Sequence, residues 1–218
     1  MKKSISLKMY KNIVSRFVAI FLYLIFINLN CLAQNFDKTA FGSDLSKIEE
    51  FLNNINNLSA DFIQNSDGSN AKGKFYLSRN KQNAGKMRIE YLSEPKVLIV
   101  VNKEVLSYLD IELDEISRIS TNTTPASFLT RPNISFHAKD VEITNIKKNN
   151  NEIKVSVVKK NRRDAGEFSL VFKTNPLEFI RMEVKNDLDQ IISVELKNID
   201  FNKKIPDKLY ILNDNNNE

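Results

Sequence analysis

From residue 74 onward apolar residues recur every second position, and that period fixes what the chain can become. In 86–91, Met87, Ile89 and Tyr91 alternate with Lys86, Arg88 and Glu90, and Phe75, Leu77 and Arg79 share one face of 74–79. Side chains of a strand point alternately to opposite sides, so each such segment predicts a strand with one buried face. Further strands are predicted over 105–109, 115–120, 141–147, 153–158, 168–172, 179–185 and 192–197. Segment 97–101 is apolar throughout, as a strand covered on both faces would be. About ten strands at short spacing predict a mainly β (α+β) fold: one curved antiparallel sheet, strongly bent or barrel-like.

Two segments break the alternation. In 43–58, Leu45, Ile48, Phe51, Leu52, Ile55 and Leu58 form a helical stripe, with Ser43 as N-cap and Asp44 in the first turn. Its polar face carries too little positive charge for a membrane-surface helix, so it is expected to cover the sheet. Thr123 or Thr124, followed by Pro125 and then Phe128 and Leu129, predicts a short helix ending before Pro132, suited to lie over one mouth of the sheet. The Asn-rich tail from residue 213 is expected to fray.

The N-terminus has the layout of a secretory signal. Lys2, Lys3, Lys8, Lys11 and Arg16 precede an apolar run over 17–29, and Cys31-Leu32-Ala33 supplies small residues for cleavage before Gln34. The run is short beside the ~20 residues of a spanning helix, so a retained anchor is the weaker reading. Cys31 as an acylated lipoprotein cysteine fits poorly, because Asn28, Leu29 and Asn30 precede it. Cleavage at 33 leaves one domain over 34–218 without cysteine, which excludes disulfides and thiol chemistry. The whole chain carries 32 basic and 27 acidic residues; removing the five basic ones in 1–33 leaves 27 of each sign. A neutral domain offers no footprint for nucleic acid. The basic run Lys159, Lys160, Arg162, Arg163 falls between two strands and reads as a solvated turn.

Signals for catalysis are weak. Segment 68–74 resembles a phosphate loop, but Phe75 follows Lys74 and a strand, not a helix, comes next, so it reads as a β-turn. His137 is the single histidine and has no ligand or triad partner at recognisable spacing. Asp110, Glu112, Asp114 and Glu115 lack the glycine and terminal glutamate of a calcium loop. No cofactor, metal or enzymatic activity is expected. The positive signal is Arg79, in phase with the apolar side: it either meets backbone carbonyls at the end of a covering helix or, from the strand end, bends out to water.

Taken in order, the motifs resemble the periplasmic outer-membrane lipoprotein carriers, the LolA family, over roughly residues 43–212. Leu58-Ser59-Ala60-Asp61-Phe62-Ile63-Gln64 is close to L-S-A-x-F-x-Q, and Gly73 to Arg79 matches G-x-L-x-L-x-R. Lys86 to Tyr91 with Pro95 follows K-F-R-W-E-Y…P; 97–101 with Tyr108-Leu109-Asp110 tracks I-V-S-D-G…Y-D; Thr124 to Leu129 resembles the T-P…L-L helix. Departures are Asn80 after Arg79, extra residues 81–83, Met87 and Ile89 for an aromatic pair, Asn102-Lys103 for Asp-Gly, and no Trp.

The resemblance implies an unclosed β-barrel whose mouth is covered by the N-terminal helix and the short lid helix. Acyl chains would lie against Phe75, Leu77, Met87, Ile89, Tyr91 and Leu106. The opposite wall would be Phe168, Leu170, Phe172, Met182, Val184, Ile192 and Val194, under Phe128 and Leu129 of the lid, with Arg79 as latch. It further implies a monomeric periplasmic carrier taking lipoproteins from an ATP-driven inner-membrane transporter to an outer-membrane acceptor or the outer membrane itself. Three fully buried chains of about fifteen methylenes would release over ~30 kcal/mol, beyond the ~20 kcal/mol ceiling of non-covalent affinity, so burial must be partial or offset by opening the lid. Two alternatives stand beside this one: a sensing module of the same fold that regulates a membrane partner, and a lipid hydrolase.

Overall fold

The computed structural model describes residues 38–212 apart from 67, 125 and 187; the signal sequence expected over 1–33 and the tail from 213 lie outside the described residues. A 3-10 turn (Lys38–Phe41) leads into α1 (Gly42–Asn53). Six strands follow: β1 (Asn57–Ser66), β2 (Ser69–Ser78), β3 (Lys86–Tyr91), β4 (Val97–Asn102), β5 (Val105–Asp110) and β6 (Glu115–Ser120). The short helix α2 (Ala126–Leu129) separates them from β7 (Val141–Lys148), β8 (Glu152–Lys159), β9 (Glu167–Thr174), β10 (Leu177–Lys185) and β11 (Ile191–Asp200). A last 3-10 turn spans Asp207–Tyr210.

All eleven strands form one antiparallel sheet in the order β6-β5-β4-β3-β2-β1-β11-β10-β9-β8-β7. It does not close: β6 and β7 are its edges, and β1 joins β11 at its middle. Register shifts at Ser59/Asp61, Phe179/Arg181 and Ile143/Asn145 bend it, since an extra residue on one strand raises the local twist. The fold is the expected unclosed barrel, with α1 and α2 on one face.

Three boundaries differ from the sequence reading. The helix ends at Asn53, not near residue 58; there the Asn53 side-chain amide donates to the Ile134 carbonyl (2.8 Å) and accepts from the Ile134 N–H (2.8 Å), fastening the helix end to the segment after α2. Leu58 therefore lies in an eleventh strand, β1, opened by Asn57 and concealed by its polar neighbours. The N-cap is Phe41, whose apolar side chain makes no capping hydrogen bond, and Ser43 lies inside the first turn; Asp44 sits in that turn and pairs with Lys148 at 2.7 Å, a carboxylate at the positive end of the helix. The turn read over 68–74 is confined to its start. Gly68 (φ +81) takes the left-handed conformation beside the Ser66–Ser69 pair, and Gly73 lies within β2. A Cβ at Gly73 would stand 2.1 Å from the Glu90 carbonyl and 2.4 Å from the Phe62 ring.

The unbroken apolar run of β4 has a cause on each side. Val97 and Val101 point inward, while Leu98 and Val100 pack outside against Tyr210 of the final turn. That turn is fastened to three strands: Tyr210 Oη bonds Ser78 Oγ (2.8 Å), Arg88 donates to the Leu209 carbonyl (3.1 Å), and Asn102 donates to that of Tyr210 (3.0 Å).

Candidate functional site

Strand register places the inward residues on one continuous face. Ala60 faces Phe75, which faces Ile89 and then Ile99; Leu58 faces Leu77, then Met87, Val101 and Leu106. Across the seam, Gln64 faces Val194, then Met182 and Leu170, and Ile192 faces Val184 and then Phe168. Antiparallel partners project to the same side, so every strand residue expected to wall the interior lies there.

The face has a filled part and an open part. Under the helices, Phe75, Leu77, Met87, Leu170, Phe172 and Met182 are buried, with Phe51 of α1 edge-on to Phe172 at 5.9 Å. Phe128 and Leu129 of α2 are buried too, Phe128 lying 5.6 Å from Phe136 and 6.1 Å from Phe168. The cavity beside α2, lined by Ser127, Phe128, Val141, Val157 and Phe168 among others, measures about 30 Å³, room for a water or two and far short of an acyl chain. Farther along, Ile89, Tyr91, Leu106, Val184 and Val194 are only half-buried, and Ile192 is 39% and Ile119 50% exposed. Apolar wall thus continues past the lid into partial contact with solvent. Polar groups sit within it: Tyr91 donates to Gln64 Oε1 at 2.6 Å, and burial pushes its phenol above the usual range.

Arg79 lies just beyond β2, 8% exposed, where the two covers meet. Its Nη1 donates to the Leu52 carbonyl at 2.7 Å, and its Nε and Nη2 donate to the Arg131 carbonyl at 3.1 and 2.9 Å. Longer contacts of 3.4 Å reach Asn53 Oδ1 and the Pro132 carbonyl. Leu52 belongs to the last turn of α1, whose carbonyls have no partner within the helix, and Arg131 and Pro132 follow α2. One guanidinium therefore ties β2, α1 and the lid segment together. Burial lowers its pKa, yet an arginine so far above neutrality keeps its charge.

Other bonds close the same junction. Glu49 Oε1 accepts from the Phe136 N–H (2.6 Å) and Ser135 Oγ (3.1 Å), and the Gly85 N–H donates to the Thr130 carbonyl (2.6 Å). Arg131 stacks over Phe128, its guanidinium carbon 5.6 Å from the ring centre, and grips Asp140 through both nitrogens at 3.1 and 2.6 Å. Burial raises the Asp140 pKa, but Arg131 outweighs it and holds the carboxyl below its usual range. Sequence reasoning missed Glu49 and Asn53, since each acts on a backbone group tens of residues away, and Arg131, whose side chain grips Asp140 and covers Phe128 while its carbonyl accepts from Arg79. His137 is exposed, and the acidic residues from Asp110 to Glu115 form the β5–β6 turn. Among the described residues no three His, Cys, Asp or Glu side chains gather to hold a metal, and no helix is long and apolar enough to cross a membrane.

Residues 53–212 match the family described as Outer membrane lipoprotein carrier protein LolA. The chain belongs to the LolA family. Comparison with curated proteins gives no match. Among solved structures, the chain resembles a putative outer membrane lipoprotein-sorting protein domain from Vibrio parahaemolyticus at 8% identity, with 77% of this chain and 94% of that one covered and a TM-score of 0.50. A LolA superfamily protein from Nitrosomonas europaea is 10% identical over 77% of this chain and 97% of that one, at a TM-score of 0.41. The Pseudomonas aeruginosa MucA/MucB complex is 12% identical, covering 77% of this chain and 59% of that one, at 0.40. At these identities the likeness is one of fold. The LolA match, from residue 53 to residue 212, spans the six-strand meander, the short helix and the five-strand meander.

Proposed function

We propose that this LolA-family chain is a non-enzymatic periplasmic carrier that shelters the acyl chains of lipoproteins against the interior face and passes them from the inner to the outer membrane. The observation that carries this reading is an apolar interior, filled under the lid and half-open beyond it, closed by an arginine bonded to neutral carbonyls. Such bonds are weaker than an arginine–carboxylate fork, so the cover can be lifted and restored. In the closed state only the open part of the wall has room for hydrocarbon. Chains push further in by displacing α2 and filling the space of Phe128 and Leu129. The energy spent on opening is subtracted from the energy of burial, which keeps affinity within reach of hand-over. Loading is assigned to an ATP-driven inner-membrane transporter, and delivery to an outer-membrane acceptor or to the outer membrane itself.

The test incubates purified residues 34–218 with spheroplasts. Lipoprotein should appear in the supernatant as a soluble complex with the wild-type protein, and not with an Ile192→Asp, Val194→Asp double variant, which charges the half-open wall and spares the filled core. Absence of any released complex with the wild-type protein would defeat the proposal. Binding of lipoprotein without its release from membranes would point instead to the sensing module, and cleavage of a fluorogenic ester to the hydrolase.

A further inference from the structure

Three hairpin turns lie at one end of the sheet, the end away from Arg79. Tyr91 at the end of β3 faces Gly73 midway along β2, Asp110 at the end of β5 faces Val97 at the start of β4, and Ser193 near the start of β11 faces Asn65 near the end of β1. The turns after β3, β5 and β10 therefore share one rim, the one onto which the half-open wall leads. Each projects a large apolar side chain: Leu92 is 55%, Leu113 67% and Leu188 74% exposed, with Ile111 and Ile191 beside them.

These residues are held outward by rigid turns. Asp110 Oδ1 accepts from the N–H groups of Glu112 (3.0 Å) and Leu113 (3.1 Å). Asn186 Oδ1 does the same for Leu188 (3.0 Å) and Gln190 (2.9 Å). The Leu92 N–H is pinned to the Lys72 carbonyl (2.8 Å), and the Lys72 N–H to Ser93 Oγ (3.0 Å). Two hairpins far apart in sequence thus use one device, a side-chain oxygen capping the turn, to present a leucine to the outside.

We infer that this rim is a bilayer-docking edge whose leucines enter the lipid interface and set the mouth against the membrane. It rests on the proposed carrier role only for the direction of hand-over. One leucine on each of three separate turns suits a fluid phase that moulds itself to every side chain; a protein partner would need a matched pocket for each. The three turns carry little free positive charge to steer an anionic partner, because Lys96 is 3.8 Å from Glu94 and Lys185 is 2.6 Å from Asp189, while the acidic Glu112 and Asp114 flank Leu113. Apolar transfer, not Coulomb attraction, drives the contact.

The test is flotation of residues 34–218 with vesicles of phosphatidylcholine and phosphatidylethanolamine, free of lipoprotein. Replacing Leu92, Leu113 and Leu188 by Asp should cut the bound fraction about tenfold or more, and single Leu113→Ser or Leu188→Ser changes about threefold each. A Val105→Asp, Ile211→Asp control, at exposed apolar positions off the rim, should bind as wild type. Binding should change less than about threefold between low and high salt. Wild-type protein that stays unbound, rim variants that float normally, a control that fails equally, or binding abolished by salt would each overturn the inference. The single Ser variants decide the matter if the triple variant fails to fold. Vesicle binding by a wild-type protein that never takes up lipoprotein would leave the docking edge standing and count against the carrier role alone.

Discussion

Replacing Arg79 by Leu removes three short hydrogen bonds, to Leu52 at 2.7 Å and to Arg131 at 2.9 and 3.1 Å. A bond from a charged donor is worth about 1.5–3 kcal/mol in place, so the three hold roughly 5–9 kcal/mol gross. Burying the guanidinium without a carboxylate costs several kcal/mol of that, leaving a net latch of about 1–3 kcal/mol. The open state should then gain by a factor of about 5 to 150. Hydrogen exchange reads this directly. The amides of Ile134 and Phe136, which donate to Asn53 and Glu49 across the junction, should lose protection by that factor in Arg79→Leu. Amides in the β1–β2 ladder should keep theirs. The same variant should load lipoprotein and release it poorly, because opening no longer opposes burial. Unchanged protection at Ile134 and Phe136 in a folded Arg79→Leu protein, or normal hand-over by it, would refute the latch.

Other perturbations follow from single contacts. Gly73→Ala puts a methyl where the Glu90 carbonyl and the Phe62 ring already stand; overpacking of this kind costs about 1–3 kcal/mol or more, seen as a lower urea midpoint with an unchanged slope. The Asp140 pKa is depressed in the fold, so its pairing with Arg131 is present above the ordinary carboxylate range and lost as pH falls through the folded value. Protection of the 131–136 amides should drop below about pH 4 in the wild type and be low at every pH in Asp140→Asn. Burial pushes the Tyr210 phenol up to about 12. Its contribution is present below about pH 10, the ordinary tyrosine value, and disappears as pH rises through 12. Ultraviolet titration should find a tyrosine that ionises late in the wild type and is missing in Tyr210→Phe.

The strands were legible where one face is wet, since alternation is then written into the residues, as in Lys86–Tyr91. β1 was not, because Leu58 continues the spacing of the helix before it and Ser59 and Asp61 mask its inner residues. Nothing in 207–210 announces that Tyr210 covers the outside of β4; the doubly apolar run of β4 is the trace it leaves. At the candidate site, the phase of Arg79 with Phe75 and Leu77 is visible in the sequence. Its acceptors are main-chain carbonyls of Leu52 and Arg131, and carbonyls carry no sequence signature. The division of the interior into filled and open parts was equally hidden, because it depends on how far α1 and α2 reach across a sheet whose inward residues all look alike.

Where the sheet leaves itself unjoined governs how it moves. The gap between β6 and β7 lies at the far end of the strand order from the β1–β11 seam. The wall can therefore gape like a split ring, each half flexing about the seam while every ladder bond stays made. Dilation then demands no unzipping of strands.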